Sequence, residues 1–573
     1  MKLYYVLSTF ILYVYFYPLN GGIVEKDRLM CSSKHTRSYE IYCGGPIVAT
    51  VNLHMIYNDS KVFVDKPLKY SPEVTLMAYN NLFGHLQPKN INPLDLKAFI
   101  NEHFLPVGTD ITVCVPDDWK PFPKKIMSIK DPILRKWALS INAIWKKLCK
   151  QVHPKVFEHP ERYSIIPLKY KFIAPGGRFR EIFYWDSYWI IKGLFASEMY
   201  ETSAQMILNL ANFIEQYGFI PNAGRVYFLE RSHPPLFISM IYEYYKATKN
   251  VTFVERMLPL MEKEFQFWQN NRSLKLAVGE KEYTVYKYSA NSNIPRPESY
   301  KEDITVNVLS TTSTKTQEQK LYRDIAAAAE SGWDFSTRWF ADNRTLLTIE
   351  TTNILPIDLN SYLCMNLNIL SYFYESVSKN KSKAEYYRNL HTEHKQMLQN
   401  VFFNKQHKVW LDYNLRTKNY STKYNAALIT PLFTNCYDVN DIKKSEDVLE
   451  FFNRSNAFDF VGGVPATMSK YAQEQWDYPN GWGNLNHMIV EGFRNSKSKK
   501  AHAAAYNIAK KWIRGNYKVF KATGSMWEKY DITGSYPSPG VGGEYEVQDG
   551  FGLTNGAILD LLMTYKNDMT LLN

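Results

Sequence analysis

From about residue 130 to its end, the chain is a succession of stretches in which apolar residues recur at helical spacing, about 10 to 20 residues at a time. Examples run at 203–217, 235–248, 253–270, 359–378, 383–403 and 501–514, and the connections between such stretches are rich in Gly, Pro and Asn. Alternating patterns of the kind a half-buried strand needs are few and short. Such a chain is all-α: about six antiparallel helical hairpins close into a double ring, with the connecting loops gathered at one end.

The 573 residues leave length for several domains. No Gly/Ser linker, low-complexity tract or fixed-period repeat divides them, however. The expected organisation is a leader at 1–22, then one domain over 23–573 with an N-terminal arm at about 23–130. The leader reading rests on Lys2, an apolar stretch at 3–17, then Pro18, Gly21 and Gly22, the pattern of a cleavable signal peptide. That stretch falls short of the roughly 20 apolar residues that span a bilayer. The tail, broken by Lys566, Asn567 and Asp568, does not suit a lipid anchor. A soluble, secreted, extracellular protein without stable membrane insertion is therefore expected.

Cysteine usage agrees with an oxidising compartment. Cys31, Cys43, Cys114, Cys149, Cys364 and Cys436 are even in number, and their pairing stays open. No Cys/His spacing resembles a metal site, so no metal is expected. Sequons for N-glycosylation stand at Asn58, Asn250, Asn271, Asn343, Asn419 and Asn453. The formal charge of +12 is dispersed rather than gathered in a basic block, which argues for a solvated surface and against a nucleic-acid partner. Aromatic residues make up 15% of the chain, enough to exclude disorder and to leave rings over for lining a cleft.

One run suggests what that cleft holds. Residues 175–191 read PGGRFREIFYWDSYWII. Gly176 and Gly177 allow a tight turn, which can present Arg178 and Arg180 as planar forks able to hydrogen-bond two adjacent sugar hydroxyls. Trp185 and Trp189, four apart, share one face of a helix and offer flat surfaces to a pyranose ring, with Asp186 beside them. The same residues also fit a buried aromatic helix start with Asp186 as its N-cap.

This run, together with QWDYPNGW at 475–482, resembles the two signature segments of the trehalase family of glycoside hydrolases. Further family-like segments follow in the family's order: IYCGGPI (41–47), DSKVFVD (59–65), PNAGRVYFLERSHPP (221–235), RPESY (296–300), AAESGWDFSTRW (328–339), WEKYD (527–531) and GGEYEVQDGFGLTNG (542–556). The resemblance covers nearly everything after the leader. It implies an (α/α)6 six-hairpin barrel, a catalytic domain without cofactor, and hydrolysis of α,α-trehalose to two glucoses with inversion.

Inversion requires one protonated carboxyl to donate to the leaving oxygen and one carboxylate to activate water on the opposite face. By resemblance the acid is Asp334, where flanking Trp333 and Gly332 suit a desolvated position that keeps the carboxyl protonated. Taken alone, Asp334 could equally cap a helix with Ser336 and Thr337 as local partners. The base is Glu528, which Lys529 could hold ionised if its side chain turned the same way. The resemblance assigns substrate contacts to Arg178, Trp185, Asp186, Asn222, Arg231, Ser232, His233, Arg296, Pro297, Glu298, Gly332 and Glu544. Trp476 and Trp482 would shape the pocket, with Asp477 as a supporting acceptor.

Departures from the family pattern are local. Gly483, Asn484, Leu485 and Asn486 follow the second signature where the family has Ala-Pro and then Leu-Gln. His233 replaces a Gln. Pro537, Pro539 and Val541 interrupt the glycine run before Glu544. They leave both carboxylates in place but keep two other outcomes open: a secreted, non-catalytic sugar-binding protein on the same scaffold, and a related hydrolase of another α-glucoside.

Overall fold

Helices that are apolar all round alternate along the chain with helices that are apolar on one face. Tyr184–Ala196 buries every residue but Lys192, whereas Tyr200–Tyr217 buries a single stripe through Thr202, Met206, Leu210 and Phe213. The first pattern belongs to a helix enclosed by protein, the second to one with a solvated face. The structure, a computed structural model, describes residues 39–310, 314–471, 473–534 and 537–571. The expected leader and Cys31 lie outside the described residues.

Among the described residues, twelve helices build the barrel. In chain order they are α1 (Pro132–Leu148), α2 (Tyr184–Ala196), α3 (Tyr200–Tyr217), α4 (Phe237–Thr248), α5 (Val251–Asn271), α6 (Ile357–Ser376), α7 (Lys381–Met397), α8 (Thr430–Phe433), α9 (Ile442–Arg454), α10 (Gly483–Asn495), α11 (Lys499–Thr523) and α12 (Gly552–Thr564). The even-numbered helices form the inner ring. α2 packs on α4, α4 on α6, α6 on α8, α8 on α10, α10 on α12, and α12 returns to α2. The odd-numbered helices lean on them from outside, as α3 does on α2 and α4, and α11 on α10 and α12. This is the (α/α)6 six-hairpin barrel. Its seam between α2 and α12 depends on two glycines: a Cβ on Gly556 would lie 1.9 Å from the Trp189 carbonyl oxygen, and one on Gly193 would lie 2.5 Å from the Gly556 Cα.

The expected helices are all present, with shifted bounds. Where the sequence expectation ends at residue 514, α11 continues to Thr523 straight through Gly515. That glycine serves close packing, since its Cβ would meet Gly462 at 3.1 Å. Over 383–403 the apolar spacing reads through a change in winding: α7 ends at Met397 and a π turn, Leu398–Phe402, follows.

Outside the barrel, residues 39–127 form short helices that dock on the loops preceding α2 and α4. Lys61 of the helix Lys61–Val64 pairs with Asp65 at 2.6 Å and with Glu181 at 2.9 Å. Arg225 in turn pairs with Glu181 at 2.9 Å and with Asp110 at 2.8 Å. All five are buried. Removing one partner would strand a buried charge, at about 3–5 kcal/mol. Disulfides join Cys114 to Cys149 and Cys364 to Cys436. One small sheet bears directly on function: Lys529–Asp531 lies between Asn480–Trp482 and Ser538–Pro539.

Candidate active site

A cavity opens at the end of the barrel where α2, α4, α10 and α12 begin, walled by residues from the loops ahead of these helices. Three carboxylates line it, Asp186, Asp334 and Glu528, and they come from three widely separated segments. Trp185, Trp476 and Trp482 form much of the wall. The Trp476 and Trp482 rings are stacked at 3.8 Å, and Trp333 stacks on Trp476 from the other side at 5.3 Å.

Asp334 owes its place to how the helix Lys315–Ser331 ends. Gly332 closes that helix in the left-handed region, with φ +75°. A Cβ there would lie 2.6 Å from the Trp185 ring, so only glycine satisfies both the backbone and the neighbour. Beyond Asp334, the chain is pinned by Asp477. Its carboxylate accepts from Ser336 Oγ, Thr337 N and Thr337 Oγ1, each at 2.9 Å, and from Thr467 Oγ1 at 2.7 Å. Local capping falls to Ser336, which starts the turn Thr337–Trp339, and the Asp334 carboxyl is left to the cavity. Burial pushes it up to about 7; Arg296 and Arg231 offset this only in part, and Glu544 adds to it.

Glu528 is set by the small sheet. Its Oε1 accepts from Tyr545 Oη at 2.8 Å, its Oε2 faces the Gln548 N–H at 3.5 Å, and Lys529 Nζ stands 3.8 Å from Oε2. Lys529 turns the same way as its neighbour, as its sequence position allowed, and donates to Gln475 Oε1 at 2.8 Å and the Gly542 carbonyl at 3.0 Å. Burial raises the Glu528 carboxyl, while Lys529, Tyr545, Gln548 and Arg178 pull it back.

Asp186 lies in the first turn of α2 and makes no capping bond. Burial, reinforced by Glu528 and Asp334, pushes it up to about 7 against the pull of its own backbone N–H. Trp185 and Trp189 do share a helix face, with ring centroids 5.6 Å apart. The aromatic helix start and the pocket wall are thus the same object, and only the N-cap role for Asp186 is absent.

Of the other expected contacts, Trp185, Asn222, His233 and Gly332 line the cavity. His233 is buried and burial holds its imidazole well below the usual range. Neutral, with Nδ1 facing the Trp185 N–H at 3.4 Å, it keeps Nε2–H as a donor. The Asn222 amide donates to the carbonyls of Ser232 and Ala329, at 3.1 and 3.2 Å, and so fastens its loop to that of Ser232 and to the end of the helix Lys315–Ser331. Ser232 is turned to the backbone, its hydroxyl donating to the Ile220 carbonyl at 2.7 Å.

The three arginines, Pro297, Glu298 and Glu544 stand outside the cavity lining, all but Pro297 in ion pairs. Arg178 grips Asp59, and Arg231 pairs with Glu298 beside Pro297. Arg296 holds both Asp303 and Glu544, each at 2.6 Å. Glu544 also accepts from Ser299 Oγ at 3.1 Å, which ties the Gly542–Gly543 loop down. Against the effect of burial, Arg231 and Arg296 hold Glu298 below its ordinary value.

Sequence reasoning missed Tyr545 and Gln475. Both lie inside segments that carry the family resemblance, but a single tyrosine among 42 gives no signal until its hydroxyl is seen on Glu528. Among the described residues, one group of metal-type ligands comes together, Cys364, His391 and Cys436. Its two sulfurs are joined in a disulfide and offer no thiolate. Buried carboxyls from three segments facing one aromatic-walled cavity can act as proton donor and proton acceptor, which is what acid–base cleavage of a glycoside requires.

Comparisons with known proteins agree with this geometry. The family model described as Trehalase matches residues 55–566. A trehalase of Apis mellifera is 40% identical over 540 residues, covering 93% of this chain and 85% of its own. A human trehalase is 37% identical over 537 residues, covering 93% and 90%. Among solved structures, the neutral trehalase of Saccharomyces cerevisiae superposes with a TM-score of 0.57 at 20% identity, covering 70% of this chain and 74% of that one, which bears on the fold alone.

Proposed function

The chain belongs to the trehalase family of glycoside hydrolases, and on that premise we propose that it hydrolyses α,α-trehalose to two glucoses with inversion, Asp334 as general acid and Glu528 as general base. The observation that carries this reading is the contrast between two carboxyls in one cavity. Asp334 is pushed up to about 7 by burial and so holds a proton near neutral pH. Glu528 is raised by burial as well, but a tyrosine hydroxyl, a backbone N–H and an ammonium face it and favour its charged form.

In this mechanism Asp334 gives its proton to the bridging oxygen as the bond to the departing glucose breaks. Glu528 takes a proton from a water that attacks the anomeric carbon from the opposite face. The tryptophans wall the cavity with apolar ring surface and so exclude other water. Neutral His233 offers a hydroxyl a single fixed donor.

The decisive experiment follows the anomers by NMR immediately after mixing the protein with trehalose. Inversion yields one α- and one β-glucose per bond at early times; two α-glucoses would refute it. Export of the chain, with cleavage near residues 18–23, is part of the same proposal. Two disulfides support it, and no helix among the described residues is long and apolar enough to cross a membrane.

A further inference from the structure

The arm segment 59–65 resembles a family segment, and its first residue meets the barrel mouth at Arg178. Asp59 lies at the start of that segment, its Oδ1 fixed by the Lys61 N–H at 2.9 Å. It grips Arg178 in bidentate fashion: Arg178 Nε donates to Oδ2 at 2.8 Å and Nη2 donates to Oδ1 at 2.6 Å. The guanidinium so held lies over the Tyr545 ring, with Cζ 4.5 Å from its centroid. Tyr545 Oη in turn donates to Glu528 Oε1 at 2.8 Å. A second path runs beside the first, since the Arg178 N–H donates to Gln548 Oε1 at 2.7 Å and the Gln548 N–H faces Glu528 Oε2 at 3.5 Å.

We propose that Asp59 is a positioning residue: by fixing the plane of Arg178 from outside the barrel, it fixes the Tyr545 ring and hence the hydrogen bond that holds Glu528. The proposal rests on the reading of Glu528 as the base. Its physical content is geometric. A planar fork held at two points has one orientation, and a cation over a ring stabilises that ring only in register with it. Without Asp59 the guanidinium is free to swing towards the cavity carboxylates, and Tyr545 loses the surface that sets its tilt. The arm is thereby part of the active site although none of its described residues lines the cavity.

The test is a double-mutant cycle in the full chain, with kcat, KM and Tm measured for Asp59→Asn, Tyr545→Phe and the pair. Asp59→Asn should lower kcat by something on the order of 100-fold, the scale at which small misplacements of a reacting group tell. The pair should be no slower than the slower single variant, because both changes cut one chain of contacts. Asp59→Glu, which keeps the carboxylate, should regain part of the loss. Losses that multiply in the pair overturn the proposal, as does an Asp59→Asn protein with lowered Tm but unchanged kcat and KM. If Asp59→Asn does not fold, Arg178→Lys carries the same cycle, since it keeps the charge and removes the fork. Glu528→Gln separates the two levels: turnover in that variant defeats the base assignment itself, whereas an inactive Glu528→Gln beside a wild-type-like Asp59→Asn defeats only the role of Asp59.

Discussion

Trp482 and Lys529 are register partners across two antiparallel strands. The segment 475–482 and the segment carrying Glu528 are therefore one rigid unit. Gln475, from the first of them, accepts from Lys529 Nζ at 2.8 Å and donates through Nε2 to the carbonyl oxygen of Asp334. A single amide thus joins the loop of Asp334 to the loop of Glu528.

Replacing Gln475 by Ala should loosen both at once. The buried Lys529 ammonium loses a partner, at about 1–3 kcal/mol, and kcat should fall by about 10- to 100-fold as the two carboxyls lose their fixed relation. Thermal melting and steady-state kinetics would show it; a variant with full kcat would mean that the two loops are held independently.

Asp334→Asn should be inactive yet more stable than the parent above neutral pH. The folded-state value of Asp334 is about 7 against an ordinary 3.8, so the folded protein holds a proton that the unfolded chain has released. The parent's stability from this group is fully present below about 3.8 and is lost as pH rises to about 7. The variant lacks that loss. The Tm advantage of Asp334→Asn should grow between about pH 4 and pH 7 and then level off; an advantage that shrinks with rising pH contradicts the buried-acid description.

Asp186 and Asp334 are both pushed up to about 7, so electrostatics alone does not choose the acid between them. If Asp334 donates the proton, activity falls as pH rises through about 7, and Asp186→Asn keeps that limb while binding sugar less well. A substrate whose leaving group needs no proton, α-glucosyl fluoride, should restore turnover to Asp334→Asn but not to Glu528→Gln. Rescue of Asp186→Asn instead would exchange the roles.

Gly332→Ala should cost about 1–2 kcal/mol for the left-handed backbone alone, with more from the clash against Trp185. The displaced ring narrows the cavity, and KM for trehalose should rise at least several-fold. An unchanged KM would show that Trp185 can move aside without consequence.

The sequence displayed the architecture well because an (α/α)6 barrel is written in local periodicity. The single stripe of α3 is visible without any tertiary information. What local periodicity hid was the use of individual residues. Gly515 looks like a helix end and is a close-packing point inside α11. Asp334 could be assigned only through resemblance, since its partners Arg296, Glu544 and Gln475 are brought in by other loops. Resemblance assigns Arg178, Arg231 and Arg296 to the sugar but says nothing of the carboxylates that hold them, a feature that depends on who faces whom across the barrel mouth.

The inner ring closes only when α12 meets α2 across Gly193 and Gly556. Glu528, Tyr545 and Phe551, which complete the cavity wall, belong to the same late stretch of chain. During synthesis at the ribosome, the pocket therefore cannot exist until that stretch has emerged, and every earlier helix waits with one inner face uncovered. Such a nascent chain exposes apolar surface in the meantime, and it acquires the ability to cleave a sugar in one step once α12 has been made rather than by degrees.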